Sequence, residues 1–248
     1  RVFEAFPGSF RASATVVACG NPVRREITAL ADPAHRMGGR EGPLRLLVVG
    51  GSLGAQALNQ SIPAVIGRLA PERRPLIRHQ AGGDKVELTV EHYRNAGVSA
   101  EVVPFISDMA QAYAWADLVI CRAGALTVSE LAAAGVAAVL VPYPFAVDDH
   151  QTRNAEACRQ AGAALLLADG DCDGPALTAM VEGLLAAPER LARMGRAAAD
   201  QLSLIAGGSE VMRLTESSTD NFPLWVQDEI YFVSDRDENE KLNLWVYD

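Results

Sequence analysis

"LLVVGGSLGAQALN" (Leu46–Asn59) runs an apolar strand into a glycine turn and leaves in a helical pattern. A strand, a turn of small residues and a helix form the repeating unit of an α/β sheet, whose ligands sit beyond the carboxyl ends of the strands. Three ligand chemistries compete for this turn: a nicotinamide dinucleotide, an acyl group on Ser52, or a diphosphate.

The pattern repeats on both sides. Apolar runs at Ala14–Cys19, Leu44–Gly50, Leu76–Gln80, Ala100–Pro104, Asp117–Cys121, Ala137–Pro142 and Ala163–Leu167 read as strands. Amphipathic stretches at Ala55–Leu69, Lys85–Asn95, Met109–Ala114, Leu126–Ala134, Arg153–Ala161, Pro175–Ala186 and Glu189–Leu204 read as helices. The strands are apolar throughout rather than alternating, which marks a parallel sheet covered on both faces. The expected class is α/β, a doubly wound, Rossmann-like parallel sheet. The loops that matter are then "GGSLGA", "HQAGGD", "PFISDM", "CRAGALTVSE" and "PYPFAVDDHQTRNA".

The chain has 248 residues and a net charge of −9, which disfavours a nucleic-acid partner. From Glu216 to Asp248 there are nine acidic and two basic residues, so the body to Thr215 carries only −2. Cys19, Cys121, Cys158 and Cys172 have no C-x-x-C spacing and read as reduced cysteines of a cytosolic protein. No apolar run reaches the roughly 20 residues of a spanning helix, and no signal peptide is visible. The chain opens at Arg1 without a methionine, so its natural start is expected upstream.

A dinucleotide site needs G-x-G-x-x-G and an acid about 20 residues on, at the end of the second strand. Here the glycines are Gly50, Gly51 and Gly54, and the second strand ends in His79 and Gln80. Gly50-Gly51-Ser52-Leu53-Gly54 does satisfy the G-x-S-x-G elbow of α/β hydrolases, and Asp148, Asp149 and His150 follow in order. Only one short strand precedes the elbow, however, and acid and base would be loop neighbours, which is poor relay geometry. A diphosphate cradle needs only small residues and helix N-terminal amides, with Ser52 adding a hydroxyl. A ligand-free tight turn is the bland alternative.

Two further loops favour the diphosphate. In "CRAGALTVSE", Gly124 turns into Ala125, Leu126 and Thr127, whose amides make a second anion site. Glu130 lies one turn inside, where a carboxylate accepts both hydroxyls of a ribose; alternatively, Thr127 and Glu130 form a T-x-x-E capping box. In "DDHQTRNA", His150, Gln151 and Asn154 share one helical face and suit sugar hydroxyls. The plain reading there is a polar first turn capped by Asp148 or Asp149.

"GNPVR" (Gly20–Arg24), "GGSLGA", "FISDMAQAYAWADLVICRAGALTVSELAAAG" and "DDHQTRNA" occur together and in order. In these motifs the chain, from Arg1 to about Leu214, resembles the C-terminal half of the MurG family of N-acetylglucosaminyltransferases, which turn lipid I into lipid II in peptidoglycan synthesis. The resemblance implies the donor domain of a two-domain GT-B fold, holding UDP-N-acetylglucosamine. It implies Arg24 near the nucleotide, Ser52 and the Gly51–Gly54 turn at diphosphate and sugar, and Phe105 and Ile106 at uracil. It further implies Ala125, Leu126 and Thr127 at the diphosphate, Glu130 on the ribose, and His150, Gln151 and Asn154 around the sugar.

The implied reaction is an inverting transfer without cofactor or metal. No D-x-D pair occurs in a ligand-side loop; Asp235 and Asp237 fall in the tail. The family's first domain, with its glycine-rich loop, histidine base, lipid I site and contact with the inner face of the cytoplasmic membrane, has no counterpart here. The catalytic base is therefore expected outside these residues, and the chain alone is expected not to turn over. A non-catalytic UDP-sugar-binding module and a GT-B transferase or epimerase for another UDP-sugar are the rivals. After Leu214 the character changes: "TESSTDNFP" reads as a linker, and "DEIYFVSDRDENEKLNLWVYD" as two strands around an acidic turn. That hairpin resembles one repeat of the Tricorn-type and TolB-type β-propeller family; the plain alternative is an ordinary C-terminal hairpin packing on the body. The expected domains are a donor-binding unit over 1–214 and an appended segment over 215–248.

Overall fold

A computed structural model describes residues 2–4, 16–18, 21, 23–37, 42–51, 55–145, 149–172, 175–205, 220–226, 229–234 and 243–247. It opens with β1 (Val2–Glu4) and β2 (Val16–Ala18), which pair in parallel as a sheet of their own. The strand expected at Ala14–Cys19 therefore forms over its central residues but does not join the main sheet, and two strands rather than one precede the glycine turn. Two short helices, α1 (Arg25–Thr28) and α2 (Pro33–Met37), follow; the sequence reading had neither.

The main sheet contains β3 (Arg45–Val49), β4 (Leu76–Gln80), β5 (Glu101–Val103), β6 (Leu118–Cys121), β7 (Ala137–Leu140) and β8 (Ala164–Leu166). The intervening helices are α3 (Gln56–Arg68), α4 (Val86–Asn95), α5 (Met109–Trp115), α6 (Ala125–Ala134) and α7 (His150–Gln160). Helices α8 (Pro175–Leu185) and α9 (Pro188–Ile205) close the body. All neighbouring strands are parallel, in the order β5-β4-β3-β6-β7-β8. The doubly wound expectation holds.

Burial on both faces explains the apolar strands. Leu46 and Val48 enter one core with Leu58, Ile62 and Ile66 of α3, Tyr93 of α4 and Val181 of α8. Leu47 and Val49 point the other way, to Ile27 of α1, Tyr113 of α5, Val128 and Leu131 of α6 and Cys158 of α7. Leu46, Leu47 and Val48 are fully buried, each contributing about 1.5–3 kcal/mol. From β3 the chain steps outward to β4 and β5, then returns to lay β6 on the other side of β3. The connections after β3 and β6 thus leave in opposite directions and open a crevice between them at the carboxyl edge.

Two irregular points have physical causes. Pro63 inside α3 has no N–H for the carbonyl of Asn59, and the Nδ1–H of His92 on α4 donates to that oxygen instead, at 3.2 Å. Helix α6 ends at Gly135 in the left-handed region (φ +59°), beside Pro33 and Gly195, where three backbones approach closely.

The tail holds three antiparallel strands, not two: β9 (Asp220–Val226), β10 (Glu229–Ser234) and β11 (Asn243–Tyr247), in the order β11-β10-β9. The extra strand begins inside the stretch read as linker, because "DNFPLWV" is itself rich in apolar and aromatic residues. These strands pair with one another and with none of the six in the main sheet. We propose that residues 1–214 fold without them. Cutting the chain after Leu214 is expected to move the melting temperature of the body by less than about 3 °C, the shift of roughly 1 kcal/mol for a domain of this size. A calorimetric scan of both chains checks this; a much larger fall would show that the tail packs on the core.

Candidate functional site

Parallel register places the carboxyl ends of all six strands on one edge, with the crevice between the turns after β3 and β6. At the first turn, Gly50 N–H donates to the carbonyl of Gln80 at 3.2 Å. Gly51 has φ +80°, where a side chain would be strained. Ser52 and Gly54 lie outside the described residues.

The second strand ends without an acid. Gln80 is buried, and its Nε2 reaches the Gly51 carbonyl at 3.4 Å, so it braces the glycine turn from below. His79 is fully buried; its Nδ1 lies 2.9 Å from the Tyr93 hydroxyl and its Nε2 3.0 Å from Asn59 Oδ1. Asn59 Nδ2 donates to the Ala81 carbonyl at 2.9 Å, so Oδ1 is an acceptor, which assigns the proton of His79 to Nε2. Burial pulls the imidazole down to about 3. With both nitrogens engaged and no solvent access, His79 cannot serve as a base.

The second turn is built from more parts. Gly124 is the N-cap residue of α6 (φ −61°, ψ 145°), among the described residues no side chain caps the first amides, and the first turn holds no acid. Amides left open in this way suit an anion. The T-x-x-E capping box does not form, because the helix already starts at Ala125 and Thr127 is its third residue. Asn154, buried on α7, donates from Nδ2 to the Ala123 carbonyl at 3.0 Å and so holds the turn in place. Ser129 donates to the Ala125 carbonyl at 3.0 Å, and Asn21 donates to Ser129 at 3.1 Å. Together with buried Val23 and Ile27, that bond lays the segment carrying Arg24 against α6.

Arg24 meets Glu130 there. Its Nε and Nη2 donate to Oε1 at 2.9 and 2.6 Å, while the Tyr113 hydroxyl donates to Oε2 at 3.1 Å. The Arg24 side chain is 48% exposed and that of Glu130 15%. Burial, and then the Glu130 charge, push the Tyr113 phenol well above its ordinary range, so it stays neutral and donates.

The rim is aromatic. Phe105 is 64% exposed, Ile106 packs partly against the core, and Tyr143 and Phe145 meet edge to face at 5.7 Å. Gln151 accepts the Tyr143 N–H through Oε1 at 3.0 Å. Arg122 donates from Nη1 to Asp169 Oδ1 at 2.5 Å and to the carbonyls of Val141 and Pro142, with its guanidinium 5.5 Å from the Tyr143 ring centre. It joins the ends of β6 and β7 to the turn after β8. His150 opens α7, and its side chain lies outside the described residues, as does Asp148. Asp149 occupies the N-cap position but in the left-handed region (φ 51°), accepting the Thr152 hydroxyl at 2.6 Å instead of a backbone amide. Among the described residues no group of His, Cys, Asp and Glu is placed to hold a metal.

Such an edge, with an open helix N-terminus, a half-buried carboxylate one turn along and a braced glycine turn opposite, invites comparison with sugar-nucleotide enzymes. Residues 45–208 match the glycosyltransferase family 28 C-terminal domain. The chain belongs to this family. The family 28 match spans the whole six-stranded sheet and ends just past α9, leaving Arg24 and the tail strands outside it. The chain is 54% identical over 198 residues to a UDP-N-acetylglucosamine–N-acetylmuramyl-(pentapeptide) pyrophosphoryl-undecaprenol N-acetylglucosamine transferase of Pseudomonas fluorescens, covering 80% of this chain and 55% of the relative. The Stutzerimonas stutzeri protein of the same name is also 54% identical over 198 residues, with the same shares covered. Among solved structures, MurG of Acinetobacter baumannii superposes with a TM-score of 0.69 at 42% identity, over 80% of this chain and 55% of that one. The chain thus spans about half the length of the curated relatives it matches.

The structure places Ala125, Leu126, Thr127 and Glu130 on α6 with Arg24 bonded to Glu130 from the segment before α1, and sets Gly51, Phe105, Ile106, Gln151 and Asn154 on the same edge. Sequence reasoning missed Tyr113 and Arg122. Tyr113 reads as one more core residue of an apolar helix, and Arg122 as a polar neighbour of a glycine turn.

Proposed function

We propose that this domain binds UDP-N-acetylglucosamine for inverting transfer of the sugar to a polyprenyl-pyrophosphoryl muramyl-pentapeptide, the acceptor in its relatives' names. The observation that carries the reading is Glu130 standing one turn inside the open N-terminus of α6, beside the crevice where the strand order reverses. A ribose diol and a diphosphate are spaced by about that much. In this reading Glu130 takes the ribose hydroxyls, and the amides of Ala125, Leu126 and Thr127 take the diphosphate. Gly51, Ser52 and Gly54 face diphosphate and sugar, and Phe105 and Ile106 meet uracil. His150, Gln151 and Asn154 border the sugar, Asn154 acting at least through the turn it holds.

In the transfer an acceptor oxygen attacks C1 of the sugar, the C1–oxygen bond to the diphosphate breaks, and UDP leaves with the electron pair. Charge develops on the departing diphosphate, where fixed amides and Arg24 stabilise it without reorganising. The acceptor proton needs a base across the cleft, which we assign to the part of the transferase outside these residues. A polyprenyl acceptor places the reaction at a membrane surface; among the described residues no helix is long and apolar enough to cross one. Residues 215–248 have no part in this scheme.

Glu130→Ala is expected to weaken UDP about tenfold to a hundredfold, the worth of charged hydrogen bonds at roughly 1.5–3 kcal/mol, and to leave 2′,3′-dideoxy-UDP unaffected. Titration calorimetry reads both. Unchanged UDP affinity in a folded variant would remove the carboxylate from the site. In the same assay UDP-N-acetylglucosamine should outcompete other UDP-sugars; equal competition would point to a different donor.

A further inference from the structure

The Glu130 carboxylate has two oxygens with unlike partners. Oε2 accepts from Tyr113, which is 1% exposed, on α5. Oε1 accepts two N–H groups from Arg24, which is half exposed on a separate segment. One partner is a fixture of the core; the other is a surface side chain of the kind that exchanges readily. Phenylalanine would fill the Tyr113 site as well, without a hydroxyl to satisfy in an apolar cluster with Ala112, Val119 and Cys121. The backbone around Tyr113 is fixed too, since its carbonyl accepts from Arg36 Nη1 at 3.1 Å, and the same guanidinium reaches the end of α6 through the carbonyls of Ala134 and Gly135. The helix that carries Glu130 and the helix that carries Tyr113 are therefore locked together.

We infer that Tyr113 is a positioning residue for nucleotide recognition: its buried hydroxyl fixes the Glu130 carboxylate so that Oε1, covered by Arg24, is presented to a vicinal diol. This rests on the donor reading above. A diol brings two O–H donors in place of the two N–H groups of Arg24, one to Oε1 and one to the lone pair of Oε2 that Tyr113 leaves open, so exchange keeps the carboxylate satisfied and frees the Arg24 cation. Because Oε2 keeps the Tyr113 bond, it has less to offer a second hydroxyl than Oε1. The two ribose hydroxyls therefore count unequally.

The test is calorimetry of the full chain and its Tyr113→Phe variant with UDP, 2′-deoxy-UDP, 3′-deoxy-UDP and 2′,3′-dideoxy-UDP, alongside melting curves. Wild type is expected to lose more affinity for one singly deoxygenated ligand than for the other. Tyr113→Phe is expected to weaken UDP about threefold to tenfold, to leave the dideoxy ligand unchanged and to level the two single deletions. An equal loss for all four ligands would be a structural effect and would overturn the inference, as would an unchanged UDP affinity. Should the variant not fold, equal losses for the two deoxy ligands in wild type overturn it by themselves. A folded wild-type chain that binds no UDP contradicts the donor reading itself, and the role of Tyr113 falls with it.

Discussion

Given UDP-N-acetylglucosamine and a polyprenyl-pyrophosphoryl muramyl-pentapeptide, the 248-residue chain is expected to transfer no measurable sugar. The remaining half of a longer relative, added in trans or by fusion, should raise the rate by at least about 10⁴-fold. The magnitude follows from the parts that the proposed reading assigns to the other half. A base within hydrogen-bond reach of the acceptor contributes roughly 10²–10⁴, and holding the acceptor in line is worth as much again or more. His79 cannot stand in, buried at 0% exposure with both nitrogens bonded and its imidazole pulled down to about 3. A radiolabelled transfer assay with and without the added half decides it. Turnover by the chain alone near the rate of the pair would move the base into this domain, with His150 the histidine to substitute next. No gain on adding the other half, with UDP bound, would instead favour a binding module without catalysis.

Gly135→Ala is expected to lower the melting temperature by about 6–15 °C, and Gly97→Ala by about 3–6 °C. Both glycines sit in the left-handed region, at φ +59° and +63°. Each substitution therefore costs about 1–2 kcal/mol of backbone strain. A methyl at Gly97 meets nothing within 4 Å, whereas at Gly135 it overlaps Pro33 Cγ and lies 3.2 Å from the Gly195 carbonyl oxygen. Overpacking adds roughly 1–3 kcal/mol there, because Pro33 is rigid and the Gly195 oxygen is backbone. Differential scanning of the two variants separates strain from crowding. Equal shifts would mean that α2 moves aside freely and the three-way contact contributes nothing.

The sheet was legible because its central strands β3, β6 and β7 are buried on both faces and so are written as nearly uninterrupted apolar runs. Leu46–Val49 and Leu118–Cys121 could hardly be read otherwise. The membership of Ala14–Cys19 was not legible, since apolar character says that a segment is covered, not what covers it. In the same way α1 and α2, at four and five residues, are too short to show a helical period. In the site, the glycine turns and Glu130 stood out because small residues and a lone carboxylate at strand ends have few structural uses. What holds them did not stand out. Tyr113 pairs with Glu130 across 17 positions, and Arg24 across 106, so neither bond leaves a local pattern. The capping box failed for a related reason: its spacing was right, but the strand before it ended early enough for the helix to begin three residues sooner.

The most direct test of the central claim is a pair of titrations of the folded chain, one with UDP and one with NAD. The claim is that the crevice between the turns after β3 and β6 is a site for a uridine diphosphate. The account predicts saturable heat with UDP that is lost in Glu130→Ala, and no heat with NAD, because the second strand ends in buried Gln80 rather than an acid. Binding of NAD with no response to UDP would contradict it.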